Sequence, residues 1–288
     1  MKVRIGVALG GRAIGDVGCY GEVLDALDEL RFDSVWIPET FLAGTLDPIV
    51  ALSFAAARVP RLNLGTHLVT PGRNPFALAK ALAQLDRLST GRLLLTFVAG
   101  INDPAERKAQ GLPTGDRTTW FDEQLPRMRS WWAGEEIDGL TLDTTPIQQP
   151  LEVWLGGQAP SALARAARLG DGWLPGAITI ADAVVSRATI DRLAAELGRE
   201  PISREHFGIN LAYALDGTRA TPPPTTMRPR GLGDPSEVTA VGPDALRELI
   251  DRWVAAGFTK IVVRPFAPPA DWAAELRELA DVVVGLQT

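Results

Sequence analysis

DPIVALSFAAARVPRLNLGTHLVTPGRNPFALAKALAQLDRLSTGRLLL, residues 47–95, decides the fold. It carries one signal twice. Asp47-Pro48 and Asn74-Pro75 each place a short polar acceptor directly before a proline. That pairing marks a helix N-cap followed by a residue whose φ is already helical. The first cap opens a helix to Arg58. The second opens one in which Leu78, Leu82 and Leu85 recur at i, i+4 and i+7 until Gly91 stops it. Leu62 to Val69 between them reads as a strand, and Arg92 to Val98 begins the next. Helix, strand, helix, strand at this spacing predicts a parallel sheet covered by its own crossover helices.

The same alternation continues in both directions. Upstream, Lys2 to Leu9 and Asp33 to Pro38 read as strands, separated by a helix from Cys19 to Leu30 with Val23, Leu24, Leu27 and Leu30 on one face. Downstream, helices are predicted over Asp116–Trp132, Ser161–Leu169, Ile180–Leu197, Ala245–Ala256 and Trp272–Val284. Between them lie strands at Leu151–Leu155, Asp171–Leu174, Phe207–Leu215 and Lys260–Val263. Eight strand–helix units in 288 residues average 36 residues each. The prediction is a (β/α)8 TIM barrel spanning 1–288 as one domain, with a doubly wound parallel sheet as the alternative. Two loops hold the excess length, Ile101–Gly115 and Asp216–Gly242, the second containing TPPPTTMRPRGLGDP. Both follow strands, which puts them at the C-terminal face where barrel active sites lie.

Composition excludes several classes. With 46% apolar and 22% charged residues the chain is expected to be globular rather than disordered. No apolar run approaches the ~20 residues of a membrane span. MKVRIGVALGG reads as too short and glycine-broken for a signal peptide, so a cytoplasmic location is expected. The lone cysteine, Cys19, excludes an intrachain disulfide and multi-cysteine metal clusters. His67 and His206 are the only histidines, and no HExxH, CxxC or phosphate-loop motif accompanies them, so no metal site is expected. A net charge of −6 with scattered basic residues argues against nucleic acid. Of 29 basic residues, 25 are Arg and 4 are Lys, a bias that a GC-rich coding genome produces.

Candidate functional residues gather at strand ends. Glu39 and Thr40 follow the second strand, and Gly65-Thr66-His67-Leu68-Val69-Thr70 closes the third. Gly100, Asn102 and Asp103 follow the fourth. Gly156-Gly157-Gln158-Ala159 sits directly before a helix, where backbone N–H groups and the helix dipole suit an anion. The run GGRAIG at 10–15 lacks dinucleotide spacing and reads as a rim loop.

Four segments resemble the bacterial luciferase-like flavin and deazaflavin oxidoreductases: FDSVWIPE (32–39), residues 47–95, WLGGQAPSALARAARLGDGW (154–173) and VGPDALRELIDRWVAAGFTKIVV (241–263). The resemblance implies a barrel that binds coenzyme F420 or FMN, usually as a homodimer. It further implies an isoalloxazine ring against the end of the third strand, backed by a non-prolyl cis peptide that would fall at His67–Leu68. Glu39, Thr40, Thr66, His67, Leu68, Thr70 and Gly100 would then surround the ring, and Gly156, Gly157, Gln158 and Ala159 would hold the phosphate. His67, Glu39 and Thr40 become the candidate catalytic groups, with Asp103 as a further proton donor. Arg12, Trp120, Trp173, Phe266 and the 216–242 loop would rim a pocket for a small-molecule substrate. Thr40 stands where the family's sugar-phosphate dehydrogenases carry a histidine, and Ile101 lies near where they carry a carboxylate. The expectation is therefore F420-dependent hydride transfer without that acid–base pair. The alternatives are an FMN-dependent monooxygenase served by a separate reductase, and a flavin-binding protein without catalysis.

Overall fold

A computed structural model describes residues 2–10, 17–111, 118–217 and 235–288. Arg12, Gly15 and most of the proline-rich loop lie outside those residues. In chain order the strands are β1 (Arg4–Ala8), β2 (Ser34–Pro38), β3 (Asn63–Val69), β4 (Leu93–Val98), β5 (Val153–Leu155), β6 (Gly172–Trp173), β7 (Gly208–Ala214), β8 (Thr239–Val241) and β9 (Lys260–Pro265). The helices are α1 (Tyr20–Glu29), α2 (Pro48–Arg58), α3 (Pro75–Leu88), α4 (Pro104–Ala109), α5 (Thr119–Trp132), α6 (Pro160–Leu169), α7 (Ile180–Glu196), α8 (Pro243–Ala255) and α9 (Trp272–Val283). Both predicted caps form: the Asp47 side chain accepts from the Val50 N–H at 3.0 Å, and Asn74 accepts from Ala77 at 2.9 Å.

The strands pair in the order β6-β5-β4-β3-β2-β1-β9-β7-β8, every ladder parallel. A parallel bridge between Trp173 and Phe207 joins the two ends, with the Trp173 N–H donating to the His206 carbonyl at 2.9 Å. Eight strands thus close into the predicted barrel. β8 is a ninth strand in what the sequence reads as loop. It occupies the edge of β7 that β6, two residues long, leaves open further along: the Ala212 N–H donates to the Val238 carbonyl at 2.9 Å. The second unforeseen element is α4, inside the 101–115 loop.

Alternation along the strands sorts side chains into two layers. Outward residues such as Ile5, Val7, Val35, Ile37, Leu64 and Leu68 join the large core beneath the helices. Inward ones fill the lumen with Ala8, Trp36, Trp154, Leu174 and Val262. Glycines make room for the two indoles: a Cβ on Gly65 would fall 2.3 Å from the Trp36 ring, and one on Gly172 would fall 2.3 Å from the Trp154 ring. The N-terminal end of the lumen is plugged by an ion pair between Lys260 and Asp33, with the Lys260 ammonium 5.8 Å from the Trp36 ring centroid.

Candidate active site

β3 delivers His67 to the lumen. Its register puts it beside Pro38 on β2 and Thr96 on β4, so these three share one layer at the C-terminal end. Across the barrel, Asn210 on β7 reaches His67 Nε2 at 3.3 Å and also donates to the Pro175 carbonyl at 3.1 Å. An amide nitrogen in that position donates to Nε2, which leaves the imidazole proton on Nδ1. That Nδ1 is buried without a partner. Burial, and then the positive charge of Arg264, hold the His67 pKa down at about 4. At neutral pH His67 therefore presents a neutral N–H and not an imidazolium acid.

Buried polar atoms without partners at this end of the barrel include the hydroxyls of Thr40, Thr70 and Thr96 and both amide atoms of Gln110. They come from the ends of β2, β3 and β4 and from the residue that closes α4. Buried polar groups are normally paired, so such a group of orphans at the mouth of a barrel marks a ligand surface.

The remaining predicted residues divide by position. The Glu39 side chain is buried, and its carboxylate is fully engaged: one oxygen pairs with Arg73 and the other accepts the Val69 N–H at 2.8 Å. Burial pushes its carboxyl up despite the attraction of Arg73. Arg73 also donates to the Val69 carbonyl at 3.0 Å, so the pair fastens the β3–α3 loop. Thr66 faces away from His67 and donates to the Ile37 carbonyl at 2.8 Å, while Leu68 lies in the outer core. The peptide His67–Leu68 is trans, contrary to expectation; among the described residues only Gln149–Pro150 is cis. The reason is continuous pairing, because His67 and Leu68 hold register with Thr96 and Phe97 and leave no bulge. Trp173 also departs from its predicted rim position. It is fully buried against Phe258, and its indole donates to the Gly157 carbonyl at 2.9 Å. Asp103 caps α4 through the Ala105 and Glu106 N–H groups.

A cavity of about 280 Å³ lies between the ends of β4 and β5 and the start of α6, lined by Gly100, Gly156, Gly157, Gln158 and Arg165 among others. Gly157 has φ 105°, a conformation that strains any residue with a Cβ, and a Cβ there would meet Ala162 at 2.8 Å. Ala159, at the N-cap position of α6, gives it no side-chain cap, and Pro160 contributes no N–H. Backbone donors from this turn and the Arg165 guanidinium, itself paired with Asp122 at 2.8 Å, suit a phosphate. Of the orphaned groups, His67 Nδ1 and the Thr70 and Thr96 hydroxyls suit the carbonyl and N–H edge of a flavin or deazaflavin. The residues present therefore fit a phosphate-bearing flavin-type cofactor. Sequence reasoning missed Thr96, Asn210, Arg264 and Gln110, the first three because β4, β7 and β9 are buried on both faces and alternation does not mark the lumen side.

The profile of the luciferase-like monooxygenase family matches residues 7–221. An uncharacterized protein of Mycobacterium tuberculosis is 34% identical over 149 residues, covering 48% of this chain and 52% of that one, so the chain spans about half the length of these relatives. An F420-dependent glucose-6-phosphate dehydrogenase of Amycolatopsis mediterranei is 24% identical over 275 residues, covering 85% of this chain and 82% of that one. The crystal structure of monooxygenase RslO1 from Streptomyces bottropensis superposes with a TM-score of 0.80 at 24% identity, over 98% of this chain and 99% of that one. No helix among the described residues is long and apolar enough to cross a membrane. The chain belongs to the luciferase-like monooxygenase family and has its α/β-barrel fold, and proteins named as F420-dependent dehydrogenases and as a monooxygenase are among those it resembles.

Proposed function

We propose that this chain is an F420-dependent oxidoreductase acting on a small or medium organic substrate. The observation that carries the reading is a set of unpaired buried groups on β3 and β4 and just beyond β3, His67 Nδ1 with the Thr70 and Thr96 hydroxyls, together with the glycine turn Gly156–Gln158 that lines a cavity at the start of α6. When bound, F420 supplies two-electron hydride transfer without reacting with oxygen. His67 holds one proton on Nδ1 and offers it as a neutral hydrogen-bond donor. Thr70 and Thr96 supply hydroxyls that donate or accept along the same edge. The turn before α6 and Arg165 hold the phosphate, and Glu39 with Arg73 keeps the β3–α3 loop rigid around them. Water exclusion and orientation are what the barrel contributes to a hydride transfer.

Two observations favour F420 over FMN. The dehydrogenase relative aligned over most of the chain is named for F420, and the Arg-rich, Lys-poor composition matches high-GC actinobacteria. An FMN-dependent monooxygenase with a separate reductase is the second reading, favoured by the likeness to RslO1. Titrating the protein with F420 and with FMN while following cofactor fluorescence separates them. The expected result is F420 binding in the micromolar range or tighter, weakened at least tenfold in Gly157→Val with the fold intact by circular dichroism. Tight FMN binding with none for F420 replaces the first reading with the second. Binding without hydride transfer to any acceptor would leave a flavin carrier.

A further inference from the structure

We propose that Gln110 is the substrate-recognition residue of this site, and that it selects a neutral molecule carrying a carbonyl and an adjacent N–H or O–H. This inference rests on the oxidoreductase reading above and extends it to the substrate. Gln110 is 7% exposed, and neither its amide oxygen nor its amide nitrogen has a hydrogen-bond partner. It ends α4, where its backbone N–H already bonds the Glu106 carbonyl at 3.0 Å. The helix end therefore needs nothing from this side chain. A leucine of similar volume would fill the space without leaving two polar atoms unpaired, so the carboxamide has no evident structural use here.

Its surroundings say what it faces. Gln110 lines a cavity of about 390 Å³ together with Glu39, Thr40, Asp47 and Arg73. It packs on Gly100, whose added Cβ would fall 2.4 Å from Gln110 Nε2. Gly100 in turn lines the cavity assigned to the cofactor, so the Gly100–Gln110 contact is where the two cavities meet. The unpaired Thr40 hydroxyl lies in the same chamber.

Charge then narrows the ligand. Among the described lining residues, two carboxylates oppose a single guanidinium, and Arg73 is already paired with Glu39. A phosphorylated sugar meets no spare cation there. A primary carboxamide offers donors from nitrogen and acceptance at oxygen in one plane. Its complement is a cis amide, a carboxamide or a hydroxycarbonyl, with both hydrogen bonds made side by side. A site built for such a group rejects the analogue lacking it far more strongly than an apolar pocket does.

The test compares 2-piperidone, cyclohexanone and glucose 6-phosphate by isothermal titration. It uses wild type, Gln110→Leu and Gln110→Glu, each with and without its cofactor. The lactam and the ketone share a ring shape and differ by the N–H. Wild type should bind 2-piperidone about tenfold tighter than cyclohexanone, and glucose 6-phosphate least. Gln110→Leu should erase that difference while its melting temperature stays level or rises by about 2 °C, because an unpaired buried amide has been removed. A fall in melting temperature without loss of lactam preference assigns Gln110 a structural role and overturns the proposal. So does equal binding of both rings by wild type, binding of neither, or preference for the sugar phosphate. Titrations on cofactor-free protein report on Gln110 even if the cofactor reading fails, and cofactor titration of Gln110→Leu should match wild type.

Discussion

His67 is a histidine whose surroundings strip it of its usual charge. Folded, its pKa is about 4 against an unfolded value near 6.5. Between those values the unfolded chain binds a proton that the folded one refuses, so its contribution to stability is complete above pH 6.5 and is lost as pH falls toward 4. A shift of that size corresponds to roughly 3 kcal/mol. Urea unfolding at pH 7 and pH 4.5 should therefore show a drop in wild type that is smaller by about 2–3 kcal/mol in His67→Gln. Identical drops would mean that the ring is solvated in the folded state. His67 was legible from the sequence because it ends a strand. Thr96 and Asn210 were not, for a physical reason: β4 reads LLLTFV, buried on both faces, and a strand with two apolar faces hides which residues point inward. The lumen-facing set emerges only once Gly65 and Gly172 are seen against the indoles of Trp36 and Trp154.

Elements whose signals are local were readable, and those held by distant contacts were not. α2 and α3 announce themselves through a cap and a proline adjacent in sequence. α4 has six residues, too few to be stable alone. Beyond its Asp103 cap, it is held by Glu106, whose carboxylate oxygens accept the Leu42 and Phe41 N–H groups, each at 2.9 Å, more than sixty residues away in sequence. That latch ties the helix carrying Gln110 to the loop after Thr40. Removing it in Glu106→Ala leaves two N–H groups without their acceptor, a loss of about 2–3 kcal/mol confined to this corner. Amide hydrogen exchange at Phe41 and Leu42 should accelerate at least tenfold while strand amides in β3 keep their protection. Uniform acceleration across the barrel would show that α4 belongs to the global core instead. β8 escaped notice for the same reason as α4: three residues become a strand only because β6 is too short to cover the whole edge of β7.

At the scale of the whole molecule, the alternation of strands and helices sufficed to predict a barrel, but its closure depends on a two-residue strand. β6 meets β7 through the Trp173–Phe207 bridge, and the same Trp173 indole, buried among Phe258 and its neighbours, donates to the Gly157 carbonyl in the turn assigned to phosphate. Barrel integrity and cofactor affinity are thereby joined at one side chain. Trp253 is the natural control: it is equally buried, packs on the same Phe258 with ring centroids 5.1 Å apart, and donates to the Glu237 carbonyl, away from the turn. Truncating either tryptophan to alanine should cost about 3–5 kcal/mol and lower the melting temperature by roughly 10 °C. Only Trp173→Ala should also weaken cofactor binding, by about tenfold, since an indole hydrogen bond contributes roughly 1 kcal/mol and the turn it holds supplies several donors at once. Thermal melts and fluorescence titrations on both variants at 10 °C, where each remains folded, decide the matter. Equal loss of affinity in the two would mean that the turn responds to general destabilisation; loss confined to Trp173→Ala would show that the strand closing the barrel also sets the geometry of its anion site.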